Sequence, residues 1–273
     1  MILYFSATGN TRFVAQRLAG LLGDEALDLL DRIRRGDHSE LRSDRPFVIC
    51  SPVYVCEPPR FLLDFLRQTP LAGHRSAYFV FTSGGYAGIS GALAGSIVRR
   101  KGLRNMGCAE LRMPRNYIAN DTYPELSRAE IERRIADTSV RLPGLAAAIR
   151  RGERLKSRHV WLFEHLVTLP FNPVWCRLKQ PTAPFATTDA CVGCGRCARL
   201  CPLNAIQISN GRPDWIPGSC AHCMSCIQNC PTGAIEYGAA TQGKQRYRFD
   251  KYRTAADVPR ADAAKGGDNL DPR

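Results

Sequence analysis

The sequence predicts an α/β domain, a doubly wound parallel five-stranded sheet in the order 2-1-3-4-5, joined to a small α+β cysteine-rich domain. Three observations predict it. Up to about residue 150, strands apolar on both faces alternate with amphipathic helices, the pattern of a parallel sheet covered on both sides. The first strand runs into a loop of small hydroxyl and amide residues and then into a helix. Near the C-terminal end, cysteines recur in two copies of one spacing. A length of 273 residues suits two domains.

Each element has its own signal. "MILYF" is a continuous apolar strand, and "NTRFVAQRLAGLLG" places Val14, Leu18, Leu21 and Leu22 on one helical face with Gly23 as a stop. "EALDLL" reads as a second strand and "PFVICSPVY" as a third. "PPRFLLDFLRQ" is a short helix with proline in its first turn. "SAYFVFTSGG" is the fourth strand, "ISGALAGSIVRRKG" a helix, and "MGCAELRMPRNY" a weaker fifth strand. A long helix then opens on a capping box, Ser127 to Glu130, and Pro143 is expected to kink or split it. The expected domains are 1–151, an aromatic linker at 152–186, the cysteine-rich unit at 187–238, and a basic polar tail at 239–273 that lacks the apolar content to fold.

"CVGCGRCARLCP" at 191–202 and "CAHCMSCIQNCP" at 220–231 match cysteine for cysteine at an offset of 29 residues. The "LNAI" and "TGAI" that follow also correspond, so the region is an internal duplication. The spacing Cys-x2-Cys-x2-Cys-x3-Cys-Pro wraps three thiolates around one [4Fe-4S] cluster and lends the fourth to its neighbour. Cys191, Cys194, Cys197 and Cys230 are thereby assigned to one cluster. Cys220, Cys223, Cys226 and Cys201 are assigned to the second. A pair of zinc sites would need only two Cys-x2-Cys pairs each and has no use for a third cysteine in step. This region resembles a bacterial two-cluster ferredoxin.

The loop "SATGNT" lacks the lysine and glycine spacing of a nucleoside-triphosphate cradle. A single phosphate monoester needs less: backbone amides at a helix N-terminus, and hydroxyls. Ser6, Thr8 and Thr11 supply hydroxyls, Asn10 an amide, and Gly9 room for close approach. The same residue types also cap helices for structural reasons alone. On the first strand of a five-stranded doubly wound sheet, the Ser-x-Thr-Gly-x-Thr pattern resembles the flavodoxins, and that resemblance implies FMN as the phosphate's owner. Two further loops at strand carboxyl ends then become ring-binding candidates: Ser51, Pro52, Val53 and Tyr54, and Ser83, Gly84, Gly85 and Tyr86. "MPRNY" at 113–117 is a weaker neighbour of the site, and Cys56 lies in the loop that carries Tyr54.

The whole resembles the flavodoxin–ferredoxin fusion proteins. The resemblance implies an electron-transfer protein that passes electrons between a bound FMN and two [4Fe-4S] clusters and on to a redox partner protein. Two other readings remain: an FMN-dependent reductase with Arg115, Asn116 and Tyr117 over its flavin, and a redox-sensing binding module. The formal charge of +13 departs from the acidic surfaces usual in free flavodoxins and ferredoxins, and it favours an acidic partner. Nucleic acid is not the expected partner; peripheral membrane contact is open. The chain begins in a core strand, which leaves no place for a signal peptide, and twelve cysteines without one point to metal or redox chemistry in the cytoplasm. Residues 151–185 carry six basic against two acidic side chains. They are expected to form a helix and an extended prolyl segment with Trp161, Phe163, Leu166 and Phe171 buried between the domains. The rival is an amphipathic membrane anchor assisted by Arg151, Arg154, Lys156 and Arg158.

Overall fold

The computed structural model describes residues 1–121, 124–218 and 220–252. β1 (Ile2–Tyr4) leads into α1 (Asn10–Leu22), followed by β2 (Ala26–Asp28), α2 (Leu30–Arg35) and β3 (Leu41–Ser43). Next come β4 (Phe47–Pro52), α3 (Arg60–Gln68), β5 (Leu71–Gly73) and β6 (Ser76–Ser83). α4 (Ser90–Arg100), β7 (Arg104–Arg112) and α5 (Arg128–Arg150) complete the first domain. Five strands pair in parallel in the order β2-β1-β4-β6-β7, which is 2-1-3-4-5 counted over the principal strands. β3 and β5, three residues each and too short to show a period, pair as a separate parallel ribbon.

Helices cover both faces of the sheet. Val14 and Leu18 of α1 and Ile135 and Leu142 of α5 pack on one face; Leu62 and Phe65 of α3 and Ile97 and Val98 of α4 pack on the other. The Ser127 hydroxyl caps α5 by accepting from the Glu130 amide at 3.2 Å. Of the expected kink or split at Pro143 the split does not occur, and α5 runs through it. A proline removes one helical hydrogen bond, and the burial of Leu142 and Ala146 on either side holds the helix against the core.

α6 (Leu162–Lys179) is one helix with Pro170 and Pro173 inside it, and the non-helical stretch 180–184, with Pro181 and Pro184, follows it. The expected burial of Trp161, Phe163, Leu166 and Phe171 is reversed. All four are exposed, Leu166 by 67%. The reason lies in the helix's two buried residues, both polar. Glu164 and Asn172 make the contacts that seat the helix, and this turns the apolar side outward. No helix among the described residues is long and apolar enough to cross a membrane.

The cysteine-rich domain contains β8 (Phe185–Thr187), α7 (Arg196–Arg199), β9 (Ile206–Ser209), β10 (Arg212–Trp215), α8 (Ser225–Asn229) and β11 (Ile235–Tyr237). β9 and β10 form an antiparallel hairpin turned by Asn210 and Gly211, both at positive φ, the pair favoured by a two-residue turn. β8 and β11 close the other end. The tail does not stay loose from residue 239. A short 3-10 turn at Gly238–Thr241 packs beside β11, and a second at Phe249–Lys251 packs against the first domain, with Tyr247, Phe249 and Tyr252 buried in the α1/α5 side of the core. Those three aromatics supply the apolar area that the tail's average composition conceals. Residues 253–273 lie outside the described residues.

Candidate functional site

The duplication is visible in the backbone as well as in the cysteines. Gly193 and Gly195 of the first motif lie at φ 68° and 67°; their counterparts 29 residues on, His222 and Met224, lie at 48° and 61°. Asn204 and Gly233 form a third such pair, at 49° and 67°. Both copies thus make the same left-handed turns between their cysteines, and α7 and α8 begin at corresponding positions. Cys191, Cys194, Cys197 and Cys230 line one cavity; Cys201, Cys220, Cys223 and Cys226 line another. Each fourth cysteine therefore faces the other motif's cavity. No group of three His, Cys, Asp or Glu among the described residues is placed to hold a single metal ion.

The two cavities differ in exposure. Cys194 is exposed, whereas Cys223 and Cys226 are buried. Burial pushes the Cys220 thiol up to about 11 and those of Cys223 and Cys226 further. Such thiols ionise together only when a cation offsets them, which iron does. The donor set therefore fits clusters at both places.

The hydroxyl loop sits at the carboxyl end of β1. Gly9 takes φ 102° and starts α1 without a side-chain cap, and no acid occupies the first turn. That leaves a positively poled helix end suited to an anion. Ser6 Oγ accepts from the Gly9 amide at 3.2 Å. Thr8 Oγ1 accepts from Asn116 Nδ2 at 3.1 Å and keeps its own proton for donation. Thr11 turns to the sheet, where its hydroxyl meets that of Thr82 at 2.8 Å. Asn10 is held from both sides, donating to the Pro114 carbonyl and accepting from the Tyr247 hydroxyl. Phe249 crosses the loop: its amide donates to the Thr8 carbonyl at 2.9 Å, and its ring stacks on Phe13 at 4.4 Å. A Cβ on Gly9 would lie 2.7 Å from Phe249 Cβ, so only glycine fits there. The loop's amides, hydroxyls and helix end fit a phosphate monoester, under a strap the sequence reading missed. The signal was present in "YRFDKY", three aromatics within six polar-flanked residues.

The two ring-binding loops do not present their tyrosines as a facing pair. Tyr86 is half exposed, and its hydroxyl donates to Glu164 of α6 at 2.5 Å. The Tyr54 hydroxyl is buried without a hydrogen-bond partner, on the side of Cys223. Tyr54 and Glu57 exchange backbone hydrogen bonds around Val55 and Cys56, both at positive φ (49° and 68°). Neither residue prefers that region, so the turn stores strain. It is pinned from outside: Asn172 donates to the Val55 carbonyl at 2.8 Å, and the Ile89 amide to the Cys56 carbonyl at 3.0 Å. Ser51 and Ser83 are buried at the ends of β4 and β6, beside Pro52 and Val53. Gly85 takes its amide to Ser83 Oγ, and Gly84 lies against Arg115. Arg115 and Tyr117 line one cleft together with Lys244 and Tyr247, and Asn116 stands apart from it. Arg115 donates to the Pro124 carbonyl, Asn116 to Thr8, and Tyr117 lies beside the His222 ring. Cys50 and Cys108 are core residues.

The second cysteine cavity meets the hydroxyl loop directly. Ser225 Oγ and Asn229 Nδ2 of α8 both donate to the Ala7 carbonyl, at 3.2 and 3.0 Å. Gln228, between them, donates to the Asn116 carbonyl and accepts from the Tyr247 amide. Cys223 packs in the same core as Ala7, with Val53 and Tyr54 at its edge.

Residues 190–235 match the model of the 4Fe-4S dicluster domain. No curated protein matches the chain. Among solved structures, similarity is found to rubredoxin oxygen:oxidoreductase from Desulfovibrio gigas, 15% identical over 55% of this chain and 35% of that one, TM-score 0.31. The match thus spans about a third of that protein's length. NAD(P)H:quinone oxidoreductase from Methanothermobacter marburgensis is 12% identical over 58% of this chain and 97% of that one, TM-score 0.31. Trp repressor binding protein from Bacillus subtilis is 16% identical over 58% and 100%, TM-score 0.27. Strand order, not these similarities, defines the first domain. The chain joins a flavodoxin-like domain to a ferredoxin domain of the 4Fe-4S dicluster type.

Proposed function

We propose that the protein is an electron carrier whose flavodoxin-like domain binds FMN and whose two clusters connect that flavin to a redox partner protein. The observation that carries this reading is the seat of α8 on the hydroxyl loop. Ser225 and Asn229, which immediately precede Cys226 and Cys230, grip the carbonyl of Ala7, one residue from Thr8. When bound, FMN supplies two-electron or one-electron chemistry and each cluster one-electron chemistry.

The residues take distinct parts. Ser6, Thr8, Gly9 and the first-turn amides of α1 would hold the phosphate, with Phe249 excluding water above them. Val53 and Tyr54 line the boundary towards the buried cysteine set, and the exposed Cys194 set faces outward, where a partner docks. Basic Arg196 and Arg199 beside it favour an acidic partner surface.

Anaerobic purification with assay of iron, sulfide and flavin is the first test: about eight iron, about eight sulfide and one FMN per chain are expected. The second is photoreduction of the flavin followed by absorption. Cluster bleaching at a rate independent of protein concentration supports transfer within one chain; a rate proportional to concentration, or no flavin bound after reconstitution, removes it.

A further inference from the structure

We propose that α6 docks the protein on an anionic lipid surface. The helix is inverted relative to an ordinary surface helix. Glu164, Thr168 and Asn172, four residues apart, form one line, of which Glu164 and Asn172 are buried against the first domain. Leu162, Phe163, Leu166, Val167, Val174 and Leu178 stand in solvent on the other side, Leu162 exposed by 74% and Leu178 by 69%. A continuous apolar face of this kind marks a docking surface, not scattered exposure.

Charge selects the occupant. Arg154 and Lys156 precede the helix, Arg177 and Lys179 end it, and all four are exposed. The helix's one acid, Glu164, is turned inward and paired with Arg158. The outward surface is therefore apolar along its length, basic at both ends, and free of acid from the helix itself. A second copy of the chain fits poorly. Whether two such helices paired parallel or antiparallel, basic end would meet basic end. Anionic headgroups beside an acyl boundary complement both features at once.

The prolines set the depth. Pro170 and Pro173 have no N–H, so the carbonyls of Leu166 and Leu169 lack their helical donors. Water at the headgroup level satisfies such carbonyls, and the hydrocarbon core does not. The helix accordingly lies in the interface and does not cross it.

The test is flotation of the purified cluster-loaded protein with phosphatidylcholine vesicles, with and without added phosphatidylglycerol. Binding to the anionic vesicles is expected, about tenfold or more above the neutral ones, with release as salt rises. The pair Leu166→Glu and Val167→Glu should lose about tenfold or more of that binding with cluster absorption unchanged. Should that pair disturb the clusters, Leu178→Glu makes the same test at the far end of the helix. Failure of the parent protein to float, or equal flotation with neutral vesicles, overturns the proposal. So does a parent that sediments as a dimer and a pair variant that sediments as a monomer, which would make the face a self-interface.

Discussion

Val55 holds a β-branched side chain in left-handed backbone, at φ 49°, in a turn whose two central residues both need positive φ. Asparagine is the residue such a turn prefers at its first central position. Val55→Asn should therefore stabilise the protein by about 1 kcal/mol, read as a rise in the unfolding midpoint. A fall would mean that the valine side chain contributes more by packing than its backbone loses. Only the structure reveals this strain, because "SPVYVCEPP" contains neither Asn-Gly nor Asp-Gly to announce a turn. The same limit applies to the second cysteine motif. Gly193 and Gly195 advertise left-handed turns in the first copy; His222 and Met224 hide the identical turns in the second. The cysteine spacing was legible at the residue level, and the backbone it demands was legible in one copy of two.

Among the elements, the five principal strands and their order could be read from apolar runs, because burial on both faces leaves an unbroken signal. α6 could not be placed, because its orientation is decided by two polar residues. Glu164 accepts from the Tyr86 hydroxyl, from Arg158 and from the Trp161 amide, and these bonds lower its carboxyl from 4.5 to about 2. The stabilisation it gives is present in full above pH 4.5 and is lost as pH falls towards about 2. Detachment of α6 should follow that range. At neutral pH, Glu164→Gln should mimic it, with faster tryptic cleavage at Lys156 and Arg177 than in the parent protein. Unchanged cleavage would show that Asn172 alone seats the helix. The strap at 247–252 offers a parallel case. Phe249→Ala removes a buried ring stacked on Phe13 and should lower stability by about 3 kcal/mol in denaturant titration. On the FMN reading, it should also speed flavin release. Loss of stability with unaltered flavin release would confine Phe249 to packing.

At the scale of the whole molecule, the proposed crossing of ligands between the two motifs would tie cofactor content to domain docking. Cys201 faces the cavity of Cys220, Cys223 and Cys226, and Cys230 faces that of Cys191, Cys194 and Cys197. The cavity that Cys201 completes is the one whose helix, α8, grips Ala7 and, through Gln228, reaches Asn116 and Tyr247. Among the described residues, nothing comparable ties the outer cavity to the first domain; a further contact, Asn204 with Arg34 at the surface, lies beside the inner one. The two single substitutions should then differ although the cysteines are equivalent in the sequence repeat. Cys201→Ala should lose the inner cluster, loosen the interface and lower the midpoint of thermal unfolding of both domains, since metal binding of this kind is folding free energy. Cys230→Ala should lose the outer cluster and leave the α8 contacts and the first domain's melting nearly as they were. Electron paramagnetic resonance identifies which cluster remains in each variant, and calorimetry measures the unequal effect. If Cys201→Ala instead removes the outer cluster, the crossed assignment fails; if both variants melt alike, the inner cluster does not carry the docking of the two domains.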